Sequence, residues 1–232
     1  MSDVGFDQYA DSYDAALEQA ISVSGEDKDY FARGRVAWTA RLVTPRPGEK
    51  RNVFDFGCGT GSAAPFLLDV LHATAVLGVD VSTRSIEVAR RTHAEPRTSF
   101  MSMSEYRPRA EMDLAYCNGV FHHIPPDRRR EAVDFVYRAL RPGGLFALWE
   151  NNPWNPATRF VMSRCPFDRD AITLTPPETR RMLTAGGFEV LRTDFLFIFP
   201  RALRWFRGIE PWVSRWPFGT QYQVLCRKSD SE

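Results

Sequence analysis

A cluster of glycines and acids near residue 55 has the spacing of a ligand-binding loop. The stretch NVFDFGCGTG (52–61) places Gly57, Gly59 and Gly61 after a short apolar run that contains Asp55. Glycines let a ligand approach the backbone closely, and a helix that starts after the loop offers free N–H groups. A phosphate-binding loop would end in Gly-Lys-Ser/Thr, but the last glycine is followed by serine and alanine. The loop therefore favours a nucleotide-like ligand that the protein does not bind through phosphate groups.

Two acids indicate which ligand this is. Asp55 stands two positions before the glycines, where it would repel a pyrophosphate and attract an ammonium or a sulfonium group. The dinucleotide fingerprint G-x-G-x-x-G needs a glycine where Ser62 stands, so a dinucleotide oxidoreductase is the weaker alternative. Asp80 ends the next apolar run, at the place where a carboxylate binds ribose hydroxyls. One acid for the ribose and one for a cationic tail describe S-adenosylmethionine.

The surrounding chain alternates between strand and helix patterns. The predicted strands are 51–56, 75–80, 98–102, 112–117, 145–150, 188–199 and 220–227. The predicted helices are 27–43, 62–71, 82–91, 127–140 and 177–186. Such alternation is typical of α/β proteins with parallel strands. We predict a Rossmann-like, seven-stranded and mostly parallel sheet with helices on both faces and an N-terminal helical cap.

Composition limits the organisation and the partners of the chain. With 232 residues, it is predicted to form cap helices (1–50), a cofactor-binding core (51–150), and a substrate-cap insert with the C-terminal strands of the same domain (151–232). A net charge of +1 gives no reason to expect a nucleic-acid partner. The four cysteines have no metal-ligand spacing, so we expect no metal. No signal-like segment opens the chain, and we expect a cytoplasmic protein.

Four motifs resemble those of one enzyme family. VFDFGCGTG (53–61) resembles motif I of the class I S-adenosylmethionine-dependent methyltransferases, and VLGVDVS (76–82) resembles their motif II. MDLAYCNGVFHHI (112–124) resembles the fourth motif, and ALRPGGLFALWE (139–150) resembles the turn and fifth strand that follow. The motifs keep the family's order. Together with FDQYADSYD (6–14), they are most similar to the ubiquinone and menaquinone methyltransferase group.

The resemblance implies a set of cofactor-binding residues. Gly57, Cys58 and Gly59 would line the amino-acid tail, where backbone placement is the expected role of the cysteine. Asp80 would hold the ribose, and Val81 would pack on the adenine. The other residues of the implied site are Asp55; Asn118, near the methionine moiety; and Tyr13 and Arg35, toward the cofactor carboxylate, with Arg33 as an alternative to Arg35.

The turn after the third strand departs from the family pattern. The family usually has an acid there that meets the adenine amino group, but Met103 and Ser104 occupy this place. Glu105 is the next residue. We expect the adenine to contact Met103 and Ser104 through backbone groups and an apolar slot, or to contact Glu105.

His122 and His123 follow the fourth strand, at the mouth of the expected cleft. A neutral imidazole there could take a proton from a phenol or another hydroxyl group. His123 is the favoured candidate, and the alternative is that one ring packs while the other borders the cofactor. Glu150 ends the fifth strand and would either bind substrate, act as a base or pair with an arginine.

The expected activity is methyl transfer to a small-molecule acceptor. The histidines favour O-methylation of a cyclic or aromatic metabolite, enclosed by the N-terminal helices, 151–177 and 200–219. Five aromatic residues of the last two segments suit an apolar acceptor: Trp154, Phe160, Phe167, Trp205 and Trp212. A lipid-like quinone at a membrane surface and a non-catalytic cofactor-binding module are the alternatives. Cap packing is favoured over membrane contact for the tryptophans, and the oligomeric state is not predicted.

Overall fold

A computed structural model describes residues 13–43 and 51–229, with the main chain alone for residues 13–16. The strands are β1 (Asn52–Phe56), β2 (Ala75–Asp80), β3 (Thr98–Ser102), β4 (Met112–Asn118), β5 (Leu140–Asn151), β6 (Phe188–Leu196) and β7 (Gln221–Lys228). The α-helices are α1 (Tyr13–Ile21), α2 (Lys28–Leu42), α3 (Ala64–Asp69), α4 (Thr83–Thr92), α5 (Arg129–Ala139), α6 (Pro156–Arg164), α7 (Pro176–Ala185) and α8 (Glu210–Val213).

All seven strands belong to one sheet with the order β3-β2-β1-β4-β5-β7-β6. Strands β1 to β5 pair in parallel, and β7 runs antiparallel to both β5 and β6. The predicted seven-stranded, mostly parallel sheet is confirmed. Because the carboxyl ends of parallel strands meet at one edge, the residues that follow β1, β2, β4 and β5 are brought together there.

Apolar residues fill the space on both faces of the sheet. Helices α2, α3 and α4 pack on one face through residues such as Val36, Leu67 and Ile86. Helices α5 and α7 pack on the other face through Val133 and Leu183. The central strands are covered on both sides, which explains their continuous apolar patterns. The predicted helices on both faces are confirmed.

Element boundaries differ from the prediction mainly in the last third of the chain. Helix α6 lies in the stretch that the sequence presented as irregular, and Asn155 caps it by accepting the N–H groups of Ala157 and Thr158. Strand β6 ends at Leu196 rather than at residue 199. The residues that follow β6 form a run of 3₁₀ turns (Arg201–Ile209) and then α8. None of the described helices is long and apolar enough to cross a membrane.

Thr39 anchors the cap helix α2 to the sheet. Its fully buried hydroxyl donates to the carbonyl of Arg35 at 2.9 Å and accepts hydrogen bonds from Trp149 Nε1 at 3.1 Å and Gln223 Nε2 at 2.6 Å. Trp149 and Gln223 belong to β5 and β7, so one hydroxyl joins three elements. Helix α2 is thereby fixed above the edge of the sheet where the predicted site residues gather.

The four cysteines are all free and buried. Burial is the largest cause that raises the pKa of each thiol, to about 12 for Cys165 and well above the ordinary value for Cys58, Cys117 and Cys226. The cysteines are therefore protonated and unreactive at neutral pH.

Candidate active site

The glycine loop after β1 is fixed to β2 and borders open space. Gly57 and Gly59 have φ angles of +71° and +53°. The N–H groups of Gly57 and Cys58 both donate to the carbonyl of Val79, at 2.8 and 3.0 Å. A Cβ at position 57 would lie 2.4 Å from Cγ2 of Val120, whereas a Cβ at position 59 would have no described atom within 4 Å. Gly57 is thus required by packing, and Gly59 leaves room for a ligand.

Asp80 is held rigidly at the end of β2. Its two carboxylate oxygens accept the N–H groups of Gly59 and Ser82, at 2.8 and 2.9 Å. Ser82 in turn caps α4 by accepting the N–H of Ser85. Each carboxylate oxygen has a second lone pair, so Asp80 can also accept hydroxyl groups of a ligand. Val81 stands between Asp80 and Ser82 in the sequence and is partly exposed.

Two buried oxygens on neighbouring strands are left without hydrogen bonds. Oδ2 of Asp55 on β1 and Oδ1 of Asn118 on β4 have no partner among the described residues. Burial, and then the charge of Asp80, raise the pKa of Asp55 to about 7, against the opposing effect of Arg35. Buried acceptors without partners are rare and mark a place for a donor or a cation. They fit the amino-acid tail of S-adenosylmethionine, which carries an ammonium and a sulfonium group.

Arg35 reaches over the ends of β4 and β7. Its Nη1 donates to Oε1 of Gln221 at 3.0 Å, and its Nε donates to the hydroxyl of Tyr116 at 3.4 Å. Arg33 instead lies over the ring of Phe66, with its guanidinium carbon 5.3 Å from the ring centre. Of the two arginines, Arg35 is therefore the one that borders the cleft.

The structure describes the side chain of Cys58 but not that of Tyr13, so it bears on the predicted role of the cysteine alone. The thiol of Cys58 donates to the carbonyl of Gly59 at 3.6 Å. Burial raises its pKa, so the thiol is not a nucleophile at neutral pH, and the expected role of Cys58 is to place the backbone of the loop. Tyr13 begins α1, but its side chain lies outside the described residues.

The turn after β3 is held together by its own polar groups. The hydroxyls of Ser102 and Ser104 lie 2.9 Å apart, and Met103 packs against the core. Glu105 accepts the N–H of Ser102 at 3.0 Å and pairs with Arg90 at 3.7 Å. Because its carboxylate is turned back onto β3, the structure favours Met103 and Ser104 over Glu105 as neighbours of an adenine.

The two histidines form a buried network with two carboxylates. Oε1 of Glu150 accepts the N–H of Phe121 at 2.8 Å, and Oε2 lies 2.6 Å from Nδ1 of His122. Oδ1 of Asp168 lies 3.4 Å from Nε2 of both His122 and His123. The ligand atoms of His122, His123 and Asp168 lie within 4.8 Å of one another, close enough to hold a metal ion.

The network gives the two imidazoles different protonation states. Burial alone would lower the pKa of His122, but Glu150 and Asp168 raise it to about 10. Burial, and then the charge of His122, lower the pKa of His123 to about 4. At neutral pH the raised pKa favours the charged form of His122, which makes His122 the weaker candidate for a base. His123 is neutral and keeps that chemistry.

Asp168 was missed by the sequence analysis. It lies in a 3₁₀ turn (Pro166–Asp168) of the insert that follows β5, far from the ends of the strands where acids were sought. Neither its spacing nor its neighbours in the sequence distinguish it from Asp170. Only the folded insert brings its carboxylate to His122 and His123.

A cavity of about 460 Å³ lies beside this network, between the cap helices, α6 and the residues that follow β6. Asn118, His122 and His123 line one wall, and most of the others are apolar. The apolar walls include Ile21, Phe31, Met162, Phe160, Phe167 and Phe197. Phe160 and Phe167, which were expected to suit an apolar acceptor, are among these residues. The glycine loop, Asp55 and Asp80 are not part of this cavity, so the cofactor cleft and the cavity are adjacent spaces.

The predicted lining by Trp154, Trp205 and Trp212 is wrong. All three side chains are exposed, and none borders the cavity. For Trp205 and Trp212, the physical reason is that the segment after β6 turns the polar Arg207 toward the cavity and its tryptophans toward solvent.

Comparison with known proteins agrees with this geometry. A family model described as a methyltransferase domain matches residues 54–146. An uncharacterized methyltransferase of Synechocystis sp. is 31% identical over 155 residues, which are 63% of this chain and 69% of that protein. A demethylmenaquinone methyltransferase of Symbiobacterium thermophilum is 28% identical over 169 residues, which are 67% of this chain and 60% of that protein.

A solved structure shares the fold over almost the whole chain. An S-adenosylmethionine-dependent methyltransferase of Thermotoga maritima superimposes with a TM-score of 0.63 at 18% identity, and the match covers 97% of this chain and 98% of that one. The glycine loop, the ribose-side acid and the unpartnered Asp55 and Asn118 oxygens give this fold a cofactor cleft of matching chemistry. The chain therefore belongs to the class I S-adenosylmethionine-dependent methyltransferases, enzymes that take S-adenosylmethionine as their cofactor.

Proposed function

We propose that the enzyme methylates an oxygen atom of a small cyclic or aromatic acceptor bound in the 460 Å³ cavity. The observation that carries this proposal is the neutral His123 on the wall of a largely apolar cavity. A hydroxyl acceptor must lose its proton to become a good nucleophile, whereas carbon or amine acceptors have less need of a base.

Residues of the glycine loop and the strand ends would hold the cofactor. Asp80 would accept the ribose hydroxyls, Asp55 and Asn118 would accept the donors of the amino-acid tail, and Arg35 would approach its carboxylate. When bound there, S-adenosylmethionine supplies an activated methyl group. The protein's own contribution is then to align acceptor and methyl group and to exclude water.

The buried network would keep His123 in its neutral form at neutral pH, although the same surroundings lower its strength as a base. The His122 cation lies next to His123, with ring centres 4.1 Å apart, and disfavours a second positive charge. Asp168 approaches the rings of both histidines, at 3.4 Å, and would hold them in position. His123 would thus take the acceptor's hydroxyl proton, while His122, Glu150 and Asp168 would position it.

A lipid-like acceptor such as a quinone is a second candidate, favoured by the rim of the cavity. Val23 and Phe160 line the cavity and are also about half exposed to solvent. An acceptor with an apolar chain could therefore place its ring inside and leave the chain on the rim. A relative named as a demethylmenaquinone methyltransferase supports the same substrate class.

The test is an acceptor screen with radiolabelled cofactor, run on the wild type and on His123→Gln. We expect phenols and hydroxyquinones to be methylated, and turnover of the variant to fall about 10²–10⁴-fold. Binding of S-adenosylhomocysteine, measured by calorimetry, should stay unchanged. His93→Gln, at the C-terminal end of α4 and outside the lining of the cavity, is the matched control.

Two results would contradict the proposal. One is methylation on nitrogen or carbon as the main product, identified by mass spectrometry. The other is an oxygen-methylating His123→Gln that keeps wild-type turnover. Comparing acceptors with and without an alkyl chain separates the two candidates, because only a lipid-like substrate would lose affinity when the chain is removed.

A further inference from the structure

The segment between β6 and β7 exposes its apolar side chains. We call the set of its exposed apolar and arginine side chains the aromatic–arginine face. It consists of Leu203, Trp205, Phe206, Ile209, Trp212, Trp216 and Phe218, together with Arg201, Arg204 and Arg215. Trp205 and Trp212 have exposed fractions of 77% and 85%. Soluble proteins rarely leave so many large apolar residues together in water, and such patches mark interaction sites.

Two polar residues of the same segment, Glu210 and Ser214, point inward. Glu210 is only 9% exposed and accepts the N–H groups of Ile198 and Phe199, at 3.0 and 3.1 Å. Ser214 is 1% exposed and donates to Asp194 at 3.3 Å. A segment that faces water would have the opposite arrangement.

Further contacts fix the segment to the cap. Nη2 of Arg207 lies 2.8 Å from Oε1 of Glu26, and its guanidinium lies over the ring of Tyr30. The Ser214 carbonyl accepts the N–H of Phe195 in β6. Because the inner side is anchored in this way, the apolar outer surface is a fixed feature of the fold.

The exposed charges of the face are all positive. Glu210 is the single acid between residues 200 and 219, and it is buried. Arg201, Arg204 and Arg215 are exposed, and Arg204 lies over the ring of Trp205 at 5.4 Å. Tryptophan and arginine side by side are the combination found at the boundary between lipid headgroups and acyl chains. Anionic lipids attract such arginines.

The face adjoins the mouth of the cavity. Pro200 and Arg207, at the start of the same segment, line the cavity, and Phe199 packs against Phe206 with ring centres 5.7 Å apart. A surface that rests on this face would therefore lie close to the cavity mouth.

We propose that the aromatic–arginine face docks the enzyme on an anionic bilayer surface. A second copy of the chain is a poorer occupant, because self-association would bring arginines against arginines with no exposed acid between 200 and 219. The inference goes beyond the proposed function and does not depend on which acceptor atom is methylated.

Co-sedimentation with vesicles tests the proposal. One set is phosphatidylcholine alone, and the other contains about a quarter phosphatidylglycerol. We expect the wild type to bind the anionic vesicles, to bind the neutral ones weakly, and to lose affinity as salt is raised. Trp205→Ser combined with Trp212→Ser should weaken binding at least about tenfold. Arg204→Ser should weaken it about fivefold.

The controls separate docking from folding and from catalysis. Arg91→Ser changes an exposed arginine of α4, near the opposite edge of the sheet, and should leave vesicle binding unchanged. Since the substituted side chains are exposed, the melting temperature and the binding of S-adenosylhomocysteine should match the wild type in every variant. A failure of the docking proposal would therefore leave the methyl-transfer proposal intact. A failure of the methyl-transfer proposal would likewise leave the docking proposal intact.

Two outcomes would overturn the proposal. The first is a wild type that does not sediment with anionic vesicles, or a double tryptophan variant that sediments as well as the wild type. The second is a concentration-dependent dimer, seen by light scattering, that the double variant abolishes. That result would assign the face to contact between copies of the chain.

Discussion

Asp55 and Asp80 are neighbouring acids of the cofactor cleft with opposite environments. Asp80 accepts two backbone N–H groups, one on each carboxylate oxygen. Asp55 is buried and has one oxygen without a partner. The buried carboxylate of Asp55 therefore lowers the stability of the ligand-free protein. The same carboxylate should raise the affinity for a cationic ligand.

We predict that Asp55→Asn stabilises the ligand-free protein and weakens cofactor binding. The folded pKa of Asp55, about 7, is above its unfolded value of 3.8, so its contribution to stability is lost as pH rises from about 4 to about 7. At pH 8 the variant should exceed the wild type by on the order of 2 kcal/mol in urea unfolding, and below pH 4 this gain should disappear. Affinity for S-adenosylhomocysteine should fall at least about tenfold. A gain independent of pH would contradict this account.

We also predict separate titrations for the two histidines. In nitrogen-detected NMR spectra, the ring of His122 should titrate near pH 10 and that of His123 near pH 4. The folded pKa of His122 is raised, so its contribution to stability is present below pH 6.5 and is lost as pH rises through about 10. The free energy of unfolding should therefore fall between pH 7 and 9. His122→Asn should be less stable at pH 7 and lack this slope, and the same slope in both proteins would refute the assignment.

Single residues could be predicted from the sequence where a motif places them at a strand end. Asp55, Asp80 and Asn118 follow this rule, and all three lie at the cleft. Asp168 and Gln221 do not follow it, because their positions depend on how the insert and the last strand fold back over the site. The charge of His122 also could not be read from the sequence, since Glu150 and Asp168 determine it in the folded protein.

At the scale of elements, we predict different effects for two neighbouring glycines of the loop. In Gly57→Ala, a positive φ and contact with Val120 should destabilise the protein by roughly 2 kcal/mol or more. In Gly59→Ala, the new methyl group enters open space, so the loss of stability should be about 1 kcal/mol while cofactor affinity falls more strongly. Urea unfolding and calorimetry measure the two effects.

Gly208→Ala is the matched control for both substitutions. A Cβ at position 208 would have no described atom within 4 Å, and no positive φ constrains that glycine. Its stability and its cofactor affinity should equal those of the wild type. Equal effects of Gly57→Ala and Gly59→Ala on cofactor affinity, after correction for stability, would contradict the assignment of Gly57 to packing and of Gly59 to ligand binding.

The elements of the core were predictable because each buries a continuous or periodic set of apolar residues. The seven strands and helices α2 to α5 and α7 follow from this pattern. Helix α6 was missed because the two prolines and three asparagines of 151–156 suggested irregular structure, although Asn155 is the cap of the helix. The run of 3₁₀ turns after β6 was also misread, since apolar side chains predict burial and here they face outward. The division into segments 1–50, 51–150 and 151–232 stays a prediction.

At the scale of the whole molecule, one buried hydroxyl, that of Thr39, joins the cap helix α2 to two strands of the sheet. We predict that Thr39→Val, which keeps the size of the side chain, lowers the free energy of unfolding by about 2–4 kcal/mol. The indole of Trp149 and the amide of Gln223 would lose their buried acceptor. Thr39→Ser keeps the hydroxyl and should cost about 1 kcal/mol. Urea denaturation compares the two, and equal losses would show that the methyl group matters more than the hydrogen bonds.

The burial of all four cysteines makes the protein well suited to site-selective labelling. Since their thiols are protonated and shielded, a maleimide reagent at neutral pH would find no competing reactive group among Cys58, Cys117, Cys165 and Cys226. A single cysteine introduced as Trp212→Cys or at Val23 would then carry a fluorophore or a spin label without removal of native residues. With both positions changed to cysteine in one protein, the distance between the two probes would report movement of the cap over the cavity in real time.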